Sequence, residues 1–211
     1  MAGLRTITDF KSQLRGGGAR PNLFEVDITN FGGGTGGDTL GFTKGEAGVQ
    51  GDFNFFCKAS AMPTQTIGSV DVPFRGRILK VAGDRTFEPW SVTVINDESF
   101  NIRKSFEKWS QAINNLATGV GEVNPGAYMG RGQIRQLSRS ATVAGATGGT
   151  ATFDAGDQKV VHEYQVEDIW PSEIGSIDLS YESSDAIEEF TVTFQVQYIN
   201  SSTFNDDGTI A

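Results

Sequence analysis

The stretch VAGDRTFEPWSVTVINDE, Val81 to Glu98, carries the change of period on which the fold class turns. Over residues 87–96, Val92 and Val94 alternate with Thr93 and Ile95, the period of two shown by a half-buried strand. Directly after it, Ile102, Phe106, Trp109, Ile113 and Leu116 step by four, three, four and three, which predicts an amphipathic helix over about 98–116. Asn96 is the expected N-cap, with Asp97 and Glu98 in a first turn where the helix dipole favours negative charge; Thr118-Gly119 is the expected end. Gly83-Asp84-Arg85-Thr86 reads as a turn that fixes strand geometry. The polar residues Asp84, Arg85, Thr86, Asp97 and Glu98 have two readings, a catalytic cluster or the joints of a structural part.

Working outward, further strand patterns appear on both sides of the helix. Upstream, 69–83 reads as two short strands or one bent strand with Pro73 at an edge or kink, and 52–63 as a strand ended by Pro63. In 22–29, Phe24, Val26 and Ile28 alternate with Glu25, Asp27 and Thr29. Downstream, 132–138 is a short strand. The span 158–170 is a long strand stopped by Pro171, with Val160, His162, Tyr164, Val166 and Asp168 on one face. Residues 176–182 alternate again, and 186–199 places Phe190, Val192, Phe194, Val196 and Tyr198 on one face. Strands before and after a single helix, without βα alternation, predict a mainly β (α+β) fold: an antiparallel barrel or sandwich of two sheets flanked by one amphipathic helix. One domain is expected over 1–211, with 1–21 an N-terminal arm, 30–51 a glycine-rich loop, 139–157 a second loop and 200–211 a loose C-terminal tail. The expected core anchors are Trp90, Ile102, Phe106, Trp109, Trp170, Phe190 and Phe194.

Composition removes most chemistry. The formal charge is 17 − 26 = −9, a poor balance for gripping nucleic acid, whose affinity comes from Lys and Arg on phosphates. Cys57 is the only cysteine and sits in an apolar run, so burial is its expected role; no disulfide within the chain and no thiolate metal cluster can form. His162 is the only histidine, in mid-strand, and no G-x-S-x-G elbow accompanies it. The glycine-rich FGGGTGGDTLGF lacks the lysine and following helix of a phosphate loop, and NDDGT at 205–209 lacks the spacing of a calcium loop. Glu167-Asp168 and Glu188-Glu189 are adjacent strand residues that point to opposite faces. No enzyme, no cofactor and no metal are expected. No apolar run reaches the ~18 residues of a membrane span, and the N-terminus lacks the apolar core of a secretory signal, so synthesis in a cytoplasm is expected.

The blocks ARPNLFEVDI (19–28), FFCKASAMP (55–63), VPFRGRILKVAGDRTFEPWSVTVINDESFNIRKSFEKW (72–109), IRQLSR (134–139) and IWPSEIGSIDLSYESSDAIEEFTVTFQVQY (169–198) occur in order over about half of the chain. In these blocks the sequence resembles the tail tube proteins of contractile-tailed, T-even-like bacteriophages. The segments 30–51 and 139–157 look like insertions relative to that pattern.

The resemblance implies a structural virion protein without catalytic activity, made in the host cytoplasm and built into the virion. Six copies would form a ring, and rings would stack into a hollow tube. The partners implied are the tail sheath, the baseplate, the tape measure protein and the tail terminator. DNA would pass through the lumen on sheath contraction without specific binding, and the subunit itself would not insert into a membrane. Tubes of bacteriocins and type VI secretion are the related alternative. Arg75, Arg77, Asp84 and Arg85 are then candidates for contacts between subunits or rings, and 56–75 for contact with the next ring. Arg85→Ala is expected to disturb assembly or local folding.

Overall fold

The computed structural model describes residues 6–13, 18–29, 53, 56–138, 160–182 and 185–202; the segments 30–51 and 139–157 and the tail beyond 202, with NDDGT, lie outside them. In chain order the elements are helix α1 (Ile7–Gln13), strands β1 (Phe24–Thr29), β2 (Cys57–Ser60), β3 (Gln65–Phe74), β4 (Arg77–Phe87) and β5 (Trp90–Ile95), helix α2 (Asn101–Ile113), the single turn α3 (Pro125–Tyr128), and strands β6 (Gly130–Leu137), β7 (Val160–Ile174), β8 (Glu189–Gln195) and β9 (Tyr198–Ser202).

All strand pairs are antiparallel. Strands run β1-β6-β7-β8-β5-β2, with β9 also on β7, while β3 and β4 pair only with each other. The long strand β7 belongs to two leaves: its first half pairs β6 and β9, its second half pairs β8. One leaf is therefore β1-β6-β7-β9 and the other β7-β8-β5-β2. Val26, Ile28, Ile134, Val166 and Ile169 from the first leaf meet Trp90, Val92, Val94, Phe190, Val192 and Phe194 from the second in one core. Helix α2 adds Ile102, Phe106 and Trp109 to it. This is the mainly β, two-sheet fold with a flanking helix that the alternation predicts.

Aromatic rings dominate the core because each removes a large apolar area from water. Phe106 meets Phe194 at 5.9 Å and Phe53 at 5.8 Å, both edge to face, and Trp90 lies 5.3 Å from Phe194. Both buried indoles find acceptors: Trp109 Nε1 donates to the Tyr128 carbonyl at 2.7 Å, Trp90 Nε1 to Ser60 Oγ at 3.0 Å. Trp170 is only half-buried and packs on the rim of the core.

Several local expectations are corrected. Residues 7–13 of the arm form a helix, capped by Thr6 and Asp9: the Thr6 N–H and hydroxyl both donate to Asp9 Oδ2, at 2.9 and 2.8 Å. Helix α2 starts later than expected, after Phe100 in a left-handed conformation (φ 57°). Asn96 does not cap it; its amide donates to Glu188 at 2.9 Å, and Asp97 Oδ2 takes the Asn101 N–H at 3.3 Å. The helix ends at Ile113, so Leu116 falls outside it and is exposed. Among the described residues of the strand expected over 52–63, only 57–60 are strand. Gly83, Asp84, Arg85 and Thr86 lie inside β4, not in a turn; the reversal is at Arg75-Gly76, both at positive φ. Pro171 does not stop β7, because a register shift between Pro171 and Glu173 accommodates the ring. Residues 176–182 form no strand, and 186–199 splits at Val196-Gln197, where the chain turns from one leaf to the other.

Candidate assembly surfaces

The outward face of the first leaf is polar in register. One row runs Glu25, Arg135, Glu163 and Ser202 across β1, β6, β7 and β9; the next runs Asp27, Gln133, Gln165 and Asn200. The third brings Thr29, Arg131, Glu167 and Tyr198 together across a shift in the β6–β7 register. The strand carrying both arginines thus lies between two strands carrying carboxylates, the cross-strand order that opposite charges favour. Arg131 Nε donates to Glu167 Oε2 at 2.6 Å, and Arg135 Nε to Glu163 Oε2 at 3.2 Å. Arg135 also approaches Glu25 at 3.7 Å and donates to Gln133 at 2.5 Å, while Gln165 donates to Glu163 at 2.9 Å. Burial raises the pKa of Asp27, against the pull of Arg135 and the Ile28 N–H, and its Oδ1 is buried without a hydrogen-bond partner among the described residues. No other described strand pairs with the outer edges of this leaf, β1 and β9.

The second surface is the β3–β4 ribbon. Its pairs Val70–Val81, Val72–Leu79 and Phe74–Arg77 put five large apolar side chains on one face. All five are exposed, Phe74 by 66% and Leu79 by 61%. The other face carries Asp71 and Lys80, ion-paired at 2.9 Å, with Ser69 and Ala82 on one side of them and Pro73 and the exposed Ile78 on the other. A two-stranded ribbon is marginal alone in water, and an apolar face of this extent is what an interface covers.

All four candidate contact residues sit on this ribbon, and none forms an ion pair with a described residue. Arg75 lies over the Phe74 ring at 5.4 Å, Arg85 donates to Gln65 at 3.3 Å, and Arg77 and Asp84 are exposed. Single-residue reading of charges reached the ribbon through these four residues and 56–75, but missed its apolar face and the charged leaf. The signal was present as FEVDIT, RGQIRQ and HEYQVE, three alternating strands whose outward charges are complementary, and as SVDVPF and RILKV around one reversal.

The residues weighed for chemistry do not converge. His162 lies edge-on to Tyr164 at 4.4 Å, and burial pushes the Cys57 thiol up to about 12. Glu188 bonds Asn96, while Glu167 holds Arg131. Among the described residues no group of three or more His, Cys, Asp or Glu side chains could hold a metal ion, and no helix is long and apolar enough to cross a membrane.

A family model described as phage tail tube protein matches residues 19–201. The chain belongs to the phage tail tube protein family. Among curated tail tube proteins, that of Enterobacteria phage T4 is 30% identical over 180 residues, covering 85% of this chain and 90% of the relative. Solved structures share the tail tube fold at lower identity. The tube-terminating cap of the anti-feeding prophage superposes with a TM-score of 0.55 at 13% identity, covering 88% of this chain and 91% of the other. A sheath/tube terminator structure of the extracellular contractile injection system PVC gives 0.55 at 10% identity, covering 88% and 97%. The family match begins after α1 and takes in the ribbon and the charged leaf up to the last residue but one of β9.

Proposed function

We propose that this tail tube protein is a structural subunit of a contractile tail, without catalytic role, whose copies build the hollow tube that conducts a phage genome into the host. The identity to a curated tail tube protein over 85% of the chain carries this reading. The four-stranded leaf supports an arrangement of six copies in a ring, β9 of each beside β1 of the next. Six such leaves close a barrel of roughly 24 strands, wider than the 16–18 that already leave an aqueous channel. Edge pairing also removes the two open flanks on which a lone subunit would aggregate. The charged face then lines the bore, and six copies bring 6 × (−9) = −54 formal charges to each ring. The β3–β4 ribbon reaches the next ring with its apolar face, and Arg75, Arg77, Asp84 and Arg85 are available for pairing there. The segments 30–51 and 139–157 are insertions in a single domain. Sheath, baseplate, tape measure protein and tail terminator are the partners of such a tube; synthesis is in the host cytoplasm.

Electron microscopy of the purified protein tests the reading. Hollow tubes or six-fold rings are expected, with or without a baseplate nucleus; a chain that stays monomeric at high concentration with that nucleus present overturns it. The fold likeness to the anti-feeding prophage and PVC structures favours a second reading, the tube of a bacteriocin or secretion system. The two differ in cargo: neighbouring portal and capsid genes point to the first, a secretion ATPase gene to the second.

A further inference from the structure

Both arginines on the charged face are already held. Arg131 lies on Glu167, and Arg135 on Glu163, Gln133 and Glu25. Glu163 and Glu167 are only 5% and 6% exposed, although they lie on the outward side of the leaf. A guanidinium binds phosphate strongly when its fork of N–H donors is free to turn to the oxygens. Turning either arginine to a phosphate here would abandon a nearly buried carboxylate, which is costly. The arginines have a reason to be present: without them the carboxylates of β1 and β7 would face one another across the leaf uncompensated. The face as a whole carries Glu25, Asp27, Glu163 and Glu167 against Arg131 and Arg135, a formal 2 − 4 = −2.

We propose that Glu163 and Glu167 are positioning residues that keep Arg135 and Arg131 off nucleic-acid phosphate, so that the face lets a polyphosphate chain slide past. The inference rests on this face lining the bore. It assigns the two buried carboxylates a task separate from supplying negative charge: they occupy the groups that would otherwise grip.

Among the described residues the Arg131 and Arg135 side chains remain 41% and 26% exposed, so binding can be read on full-length subunits with a short fluorescein-labelled DNA duplex by anisotropy at several salt concentrations. E163Q/E167Q is expected to bind about tenfold more tightly than the parent, with a log-log salt slope steeper by about 0.9 for each arginine that reaches a phosphate. D27N removes one formal charge from the face, as E167Q alone does, but leaves every carboxylate paired with Arg131 or Arg135 in place, and is expected to bind like the parent. Adding R131Q/R135Q to E163Q/E167Q should abolish the gain. No tightening in E163Q/E167Q, or a tightening in D27N equal to that of E167Q alone, overturns the proposal. If circular dichroism shows E163Q/E167Q unfolded, E167Q alone frees Arg131, and its binding relative to the parent decides in the same way. Microscopy of the same preparations reads tube formation separately, so failure of the tube and failure of the held arginines are distinct results.

Discussion

The Trp90 indole lies so close to Gly132 that a Cβ built on the glycine would sit 2.6 Å from Cζ3 and 3.0 Å from Cη2. The ring cannot retreat easily: Ser60 holds its nitrogen, Phe194 lies against it, and Ile169 Cδ1 is 3.3 Å from the same Cβ position. Gly132→Ala should therefore cost about 1–3 kcal/mol through overpacking, read as a lower urea midpoint of the subunit. An unchanged midpoint would show that the neighbours yield.

Asp168 marks where β7 changes leaf. Its φ of 54° is left-handed, and it brings Val166 and Ile169, three residues apart, to the same core. Aspartate tolerates this region better than a β-branched residue does. Asp168→Val should destabilise the subunit by about 1–2 kcal/mol, whereas Asp168→Gly should hold its thermal midpoint or raise it. A valine variant as stable as the parent would remove the strain argument.

Leu79 separates assembly from folding. It is exposed on the apolar face of the ribbon and pairs only with β3. Leu79→Asp should leave the stability of the subunit within about 0.5 kcal/mol, since surface changes away from packed features rarely do more. It should also abolish tubes in the microscope. Normal tubes from the folded variant would exclude this face from the contact.

Asp27 links stability to pH. Burial raises its carboxyl pKa in the fold, with the Arg135 charge and the Ile28 N–H as opposing influences. A folded pKa above the unfolded one means a contribution that is present below the unfolded pKa and lost as pH rises through the folded pKa. Asp27→Asn should be more stable than the parent at neutral pH, and that advantage should shrink below about pH 4, where an unfolded aspartate also takes its proton. Denaturation at the two pH values decides; a parent more stable at neutral pH would show that Arg135 outweighs burial.

What was legible in the sequence follows from range. Trp90, Val92, Val94, Phe190, Val192 and Phe194 alternate along their own strands, and every one is buried. The stripe Ile102, Phe106 and Trp109 likewise needs only one helix to be seen. Misreadings arose where a distant residue outcompetes a local preference. Asn96, a good cap by type, is taken by Glu188 across the sheet, and Asp97 bonds the helix start instead. The Gly83-Asp84 pair looks like a turn, yet Gly83 faces Gly68, its carbonyl 3.2 Å from an added Cβ, because a register shift between Ile67 and Ser69 needs two backbones close together. The charged ladder required knowing that β1, β6 and β7 are neighbours, which no single strand reveals.

Because β7 is common to both leaves, one layer cannot slide over the other without rupturing hydrogen bonds along a single continuous strand. Shear stiffness is thus built into the backbone of each subunit. A column stacked from such units would resist buckling under an axial push with no covalent cross-link within the chain; its one cysteine, Cys57, is free.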